Sequence, residues 1–212
     1  LQLTDGQALA TILWDMEKFY DNIDIQKLIA KAFELEYPLV VFALGMQMHL
    51  APRLIKAHDC YVYAPGLPAN GIIAGCLQSN YLARVMLYTV MDELWTRSVG
   101  PTTMYLRTFV DDIRHTEAGP APTVAKVMVE KAESLAQDLS AIGCRISSKT
   151  TIVASNTIIR SHIQRAMRMR GVTITAAAYA KDLGVATSAG VRRVGTIIHK
   201  RLRGARSRGF RI

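Results

Sequence analysis

Thr103-Met104-Tyr105-Leu106-Arg107-Thr108-Phe109-Val110-Asp111-Asp112-Ile113-Arg114-His115-Thr116 reads as one supersecondary unit. Thr103 to Val110 is a strand, Asp111-Asp112 is its turn, and Ile113 to Thr116 is the return. A hairpin makes at least part of the sheet antiparallel. Aspartate suits a turn, but two adjacent carboxylates repel and push one pKa upward. A hard divalent cation removes that penalty, because Mg²⁺ takes carboxylate oxygens. A solvated turn would carry the same pair without any chemistry, so a second, independent carboxylate has to decide.

Asp15 supplies it. Ala8 to Trp14 is a short apolar run with β-compatible residues, read as a buried strand, and Asp15 closes it. A carboxylate at a strand end can face another at a neighbouring hairpin tip. That pairing builds a two-metal site for in-line phosphoryl transfer, with ions about 4 Å apart. One ion would activate a 3′-hydroxyl, and both would hold the charge developing on phosphate. Alone, Asp15 could equally be a turn or capping residue.

Outward from these two points, strands and helices interleave, which gives an α+β or α/β class. Apolar residues at Ile25, Leu28, Ile29, Ala32 and Phe33 predict a helix to Glu36, and Pro38 opens a second from about Leu39 to His49. Leu54 to Tyr63 predicts one or two strands. Leu77 to Thr96 predicts a long helix, with Leu77, Tyr81, Val85, Tyr88, Met91 and Trp95 as its core stripe. A third helix is expected over Thr123 to Ile142, with Gly143 as its stop. Short strands follow near Arg145 and Ile152, then a basic helix from Thr157 to Met169, then strands at Val172–Thr175 and Tyr179–Val185.

The 212 residues, half hydrophobic and 20% charged, exclude a disordered tail or a collagen-like fibre and allow a sizeable core. Cys60, Cys76 and Cys144 are odd in number and widely spaced, which excludes a disulfide framework and a cysteine zinc site and suits a reducing, intracellular compartment, nucleus or cytoplasm. No uncharged run reaches the ~20 residues of a membrane span. The net charge of +9 is uneven. Residues 160–212 hold 13 basic residues and one acid, Asp182, a balance of +12, and the rest of the chain is −3. A basic end on a slightly acidic body points to a polyanionic partner or to a solvated or targeting tail. Val191, Val194, Ile198 and Leu202 fall on one helical stripe, leaving Arg192, Arg193, Lys200, Arg201, Arg203 and Arg206 off or beside it.

In order along the chain, these stretches resemble the motifs of reverse transcriptases. Asp15-Met16-Glu17-Lys18-Phe19-Tyr20-Asp21-Asn22-Ile23-Asp24 is similar to motif A, especially of group II intron and non-LTR types. Gly71-Ile72-Ile73-Ala74-Gly75-Cys76-Leu77-Gln78-Ser79-Asn80-Tyr81-Leu82 resembles motif B. Phe109-Val110-Asp111-Asp112 resembles the aromatic-x-Asp-Asp box of motif C. Residues Ile142 to Thr150 resemble motif D, and Ala180 to Val185 the motif E turn. Motif B departs from the pattern, with Ile73-Ala74 for Pro-Gln, Asn80 for Pro and Arg84 for Asn. The glutamine that usually contacts template and incoming nucleotide is therefore absent, and the stretch points to a divergent eukaryotic retroelement. The chain starts just before motif A, so it reads as a fragment whose fingers lie largely elsewhere.

The resemblance implies an α+β polymerase palm: a small antiparallel sheet with a ferredoxin-like core, backed by helices at about 77–96 and 123–142. Residues 1–185 would be palm with a residual fingers segment, and 186–212 the start of a basic helical thumb or a linker. It implies RNA-directed DNA polymerisation with two Mg²⁺ (or Mn²⁺) ions, dNTPs, an RNA template and a DNA primer, and the fingers and thumb of a longer protein as partners. Asp15 and Asp111 would bridge both ions, with Asp112 as a closer or outer ligand. Tyr20 would be the gate against a ribose 2′-hydroxyl, and Lys149 the proton donor to pyrophosphate. Gly75 and Ser79 would shape the loop under the nascent base pair, and the six cations of 192–206 would grip phosphates. Three alternatives stand beside this. An RNA-directed RNA polymerase palm draws on Asp21. A decayed palm that only binds nucleic acid draws on the altered motif B, and a basic α+β module of other role fits the charge alone.

Overall fold

The structure, a computed structural model, describes residues 6–63, 66, 68–182 and 185–187. The basic segment carrying Arg192, Arg193, Lys200, Arg201, Arg203 and Arg206 lies outside them. The chain divides into two compact units. The first comprises Leu1–Met16, Leu94–Gln137 and Ile146–Ile212, and the second Glu17–Glu93 with Asp138–Arg145.

The first unit holds a five-stranded sheet in the order β4-β5-β1-β6-β7. Its strands are β1 (Gln7–Trp14), β4 (Thr103–Phe109), β5 (Asp112–Pro120), β6 (Thr151–Ala154) and β7 (Thr175–Ala176). β1 is central because its Ala-x-Ala-x-Ile-x-Trp alternation buries every second residue: Ala8, Ala10, Ile12 and Trp14. It pairs antiparallel with β5 (Trp14 opposite Ile113) and with β6 (Leu13 opposite Thr151). β5 returns further than expected, to Pro120, which cannot extend a ladder.

Helices α5 (Ala121–Ala141) and α6 (Thr157–Met169) back this sheet. From α5, Val124, Met128, Ala132 and Leu135 are fully buried, and Lys131 reaches Glu117 of β5. Pro122 sits in the first turn of α5, where its missing N–H costs nothing. Gly143, at φ 90°, ends that helix as expected. α6 buries Ile159, Ile163 and Met167 and donates from Gln164 to the Ile174 carbonyl at 2.9 Å.

The second unit contains α1 (Phe19–Asn22), α2 (Ile25–Glu34), α3 (Leu39–Leu50), the hairpin β2 (Leu54–Ala57) and β3 (Cys60–Tyr63), and most of α4 (Ser79–Thr96). Asp24 caps α2 by accepting from Gln26 and Lys27 at 2.8 and 3.1 Å, a device that stabilises a helix by ~1 kcal/mol. Cys60, Cys76 and Cys144 are free, and burial pushes the Cys144 thiol up to about 11 despite the nearby Lys27.

Four expectations are corrected. Most of the expected α4 stripe is not core: Leu77 is 88% exposed and Tyr81, Tyr88 and Trp95 are also exposed, Met91 is half-buried and Val85 is buried as expected, while Leu82, Met86, Val90 and Leu94 form the packed stripe. Both stripes have helical spacing, and the compact aliphatic one packs while the larger amphipathic rings stay at the surface. Phe33, expected in the α2 stripe, is exposed. The sheet is not purely antiparallel, because β7 runs parallel to β6 and is only two residues long. No strand forms at Arg145, where an isolated bridge joins Met16 to Ile146.

Candidate active site

Side-chain alternation assigns the two faces of the sheet. Ile113, His115 and Glu117 of β5 lie on the helix-covered face, and Asp112, Arg114 and Thr116 on the other. By register, Leu13, Thr151 and Thr175 share that second face, as do Tyr105, Arg107 and Phe109 of β4. Tyr105, Arg107 and Phe109 are exposed.

The Asp-Asp pair is split by the hairpin. Phe109 pairs directly with Asp112, so Val110 and Asp111 form the two-residue turn and Asp112 is the first residue of β5. Val110 sits at φ 57°, the left-handed region that β-branched residues avoid. Asp111 is half-buried at the tip.

Asp15 follows the last β1 residue and is also half-buried. It lines a cavity of about 310 Å³ together with Asp112, Lys149, Thr151, Thr175 and Tyr179. Asp15, Asp112 and Lys149 are thus brought together. Asp111 stands at the adjacent turn and is not among the lining residues. Among the described residues no side chain donates a hydrogen bond to the Asp15 carboxylate, and no three His, Cys, Asp or Glu side chains gather closely enough to hold a metal ion by themselves. Mg²⁺ seldom needs such a cage, since one or two carboxylates with water and substrate phosphates suffice. Asp15 and Asp112, hard oxygen donors on one open cavity, fit that mode of binding.

Lys149 owes its place to an irregularity in the ladder. Between the Leu13–Thr151 pair and the Met16–Ile146 bridge, the β1 side contributes Trp14 and Asp15 and the opposing segment contributes Ser147 to Thr150. The two surplus residues loop out, and Lys149 stands exposed on that bulge.

The other expected site residues belong to the second unit. The Tyr20 hydroxyl donates to Asn80 Oδ1 at 2.7 Å, and its ring meets Phe19 edge-on at 5.6 Å. Gly75 has φ 85° and open space around it, so it serves the turn that precedes α4. The Ser79 hydroxyl is buried and donates to the Ile73 carbonyl at the start of α4. Ile73 is also held through its N–H, which donates to His49 Nδ1 at 3.0 Å. Burial and then Arg53 lower the His49 pKa, which keeps that nitrogen an acceptor.

A polar cluster on the covered face was not anticipated. Glu117 is fully buried and accepts from Thr102 at 2.6 Å and Lys131 at 2.9 Å, with His115 Nε2 at 2.9 Å. Burial alone would raise its carboxyl, but the hydrogen bonds from His115, Thr102 and Lys131 outweigh this and hold it below the ordinary carboxylate range. The phase of the strand was the available signal, because Ile113 inward puts His115 and Glu117 inward too.

Among the described residues no helix is long and apolar enough to cross a membrane. No family model and no curated protein matches the chain. Solved structures do. An apo telomerase from Candida tropicalis, truncated from its C-terminal domain, matches with a TM-score of 0.58 and 14% identity over 86% of this chain and 34% of that one. A Candida tropicalis telomerase in complex with a TWJ fragment of telomeric RNA matches with a TM-score of 0.51 and 17% identity, over 71% and 26%. The chain thus spans about a third or less of these structures. At such identities the likeness shows the fold alone: a mixed α/β arrangement, a five-stranded sheet backed by helices, like that of these telomerase structures.

Proposed function

We propose that the chain is the palm of an RNA-directed DNA polymerase of a retroelement, acting on dNTPs with an RNA template and a DNA primer. The carrying observation is the shared cavity of Asp15, Asp112 and Lys149 at one end of a telomerase-like sheet. Mg²⁺, or Mn²⁺ in its place, would be held by Asp15, Asp111 and Asp112, and when bound supplies charge neutralisation and activation of the 3′-hydroxyl. Lys149 holds the proton destined for the leaving pyrophosphate. Tyr20 would be the gate against a ribose 2′-hydroxyl, and Gly75 and Ser79 would shape the loop under the nascent base pair.

Nucleic acid has two sources of grip. Tyr105 and Phe109 are exposed on the edge strand β4 with Arg107 between them, a combination suited to bases and phosphates. Arg192, Arg193, Lys200, Arg201, Arg203 and Arg206 add phosphate contacts. Fingers and thumb from a longer chain, working inside the cell in nucleus or cytoplasm, complete the reading. Primer extension by the full-length protein tests it. Asp111→Asn should abolish extension while primer–template affinity is kept. Extension at the wild-type rate in that variant would sink the proposal.

A further inference from the structure

Thr150 is fully buried, next to an exposed lysine, and its hydroxyl meets no side chain of the cavity. It meets the backbone of Asp15 twice. The Asp15 N–H donates to Thr150 Oγ1 at 3.2 Å, and Thr150 Oγ1 lies 3.3 Å from the Asp15 carbonyl, to which it can donate. A side chain thereby makes the contacts a paired strand residue would make at a point where the ladder has lost its register. The Ser147 N–H adds a third bond to the Asp15 carbonyl at 2.8 Å.

The bulge that carries Lys149 is braced from both ends. The Lys149 N–H donates to Ser147 Oγ at 3.2 Å, and the Thr150 N–H to the Ser147 carbonyl at 3.0 Å. The Thr151 hydroxyl donates to the Lys149 carbonyl at 2.7 Å. From β7, the Thr175 N–H donates to the Thr150 carbonyl at 2.8 Å and its hydroxyl to the Ser148 carbonyl at 3.3 Å. A two-residue surplus loop would ordinarily be free to move. This one is tied to Asp15 at both ends, by the Ser147 N–H and by the Thr150 hydroxyl, and only the hydroxyl meets the Asp15 N–H.

We propose that Thr150 is a positioning residue that locks the Lys149 bulge to the backbone of Asp15, so that ammonium and carboxylate meet the same substrate in a fixed relation. The inference rests on the polymerase reading for its consequence and on the hydrogen bonds alone for its geometry. Misplacing a reacting group by about an ångström can cost a hundredfold in rate, whereas nucleotide binding does not depend on that relation.

The test uses three substitutions in the full-length protein. Thr150→Val keeps shape and removes the hydroxyl, and should lower the rate at saturating dNTP by roughly tenfold or more with KM little changed. Thr150→Ser should restore it. In a Lys149→Ala background Thr150→Val should add nothing further, since one acts through the other. Hydrogen exchange supplies a readout free of activity. The Asp15 amide should lose protection in Thr150→Val and keep it in Thr150→Ser, and Thr150→Cys replaces the valine variant should that one fail to fold. Unchanged Asp15 protection in Thr150→Val, or rate losses that add to Lys149→Ala, would overturn the proposal while leaving an Asp111-dependent polymerase standing. Absence of Asp111-dependent extension would instead overturn the polymerase reading, and the catalytic consequence of Thr150 with it.

Discussion

The five-stranded sheet carries carboxylates on both faces and treats them in opposite ways. On the covered face Glu117 has lost all contact with water and is met by Thr102, His115 and Lys131. On the other face Asp15 keeps access to a cavity, and no described side chain donates to it. A buried anion without partners would cost several kcal/mol, so the Glu117 cluster is one the fold had to complete. A half-buried anion that opens on a cavity costs the fold less and remains available to a cation or substrate. Position on the strand decides the assignment, since one residue of shift exchanges the faces.

Breaking the covered cluster should have the largest effect on stability. Glu117→Leu leaves Lys131 buried without its anion and should destabilise by ~3–5 kcal/mol. Pairing it with Lys131→Met should recover most of that loss, because a well-packed apolar pair replaces the ion pair. Denaturant unfolding of the two single variants and the double variant measures the coupling, and simple additivity would argue against the cluster. The sign of the pH effect follows from the lowered Glu117 pKa. The unfolded carboxyl takes up protons before the folded one, so stability is complete above an ordinary glutamate pKa of about 4.3 and falls as the pH drops below it. Glu117→Gln should flatten that acid limb in unfolding curves taken at successive pH values.

A smaller effect is expected at the hairpin tip on the open side. Val110 holds a positive φ that glycine adopts freely. Val110→Gly should raise the unfolding free energy by about 1 kcal/mol if the strain outweighs the entropy added to the unfolded chain. A lowered melting temperature would mean that the Val110 side chain contributes more than its backbone costs. The smallest effect belongs to the second unit. Tyr20→Phe removes an exposed hydrogen bond to Asn80 and should cost under about 1 kcal/mol. If the ring is the sugar gate, discrimination against ribonucleotides should persist in Tyr20→Phe and fail in Tyr20→Ala.

Much of this organisation was legible in the residues. The apolar run Ala8–Trp14, the apolar spacing from Ile25, Pro38 and Gly143 place β1, α2, α3 and the end of α5 within a residue or two, and α6 falls on Thr157–Met169 as expected. The hairpin around Asp111 was readable from its turn chemistry, but its turn lies one residue earlier than expected, at Val110-Asp111. Three things were not. In α4 two apolar stripes share one period, and periodicity cannot say which of them meets a core. The Ser147–Thr150 bulge exists only relative to β1, so nothing local in Ser147-Ser148-Lys149-Thr150 announces it. Glu117 required the phase of β5, which a charged residue obscures by suggesting the solvent side.

The most direct test sets the two faces against each other on two scales. Asp15→Asn and Glu117→Gln, each in the full-length protein, are measured for primer extension and for unfolding free energy. The account predicts that Asp15→Asn abolishes extension with stability changed by under about 1 kcal/mol, because no described partner is lost. It predicts that Glu117→Gln loses more stability than Asp15→Asn while the folded fraction still extends primers. An Asp15→Asn protein that extends primers normally, or one that loses activity only because it unfolds, would contradict the assignment of chemistry to the open face.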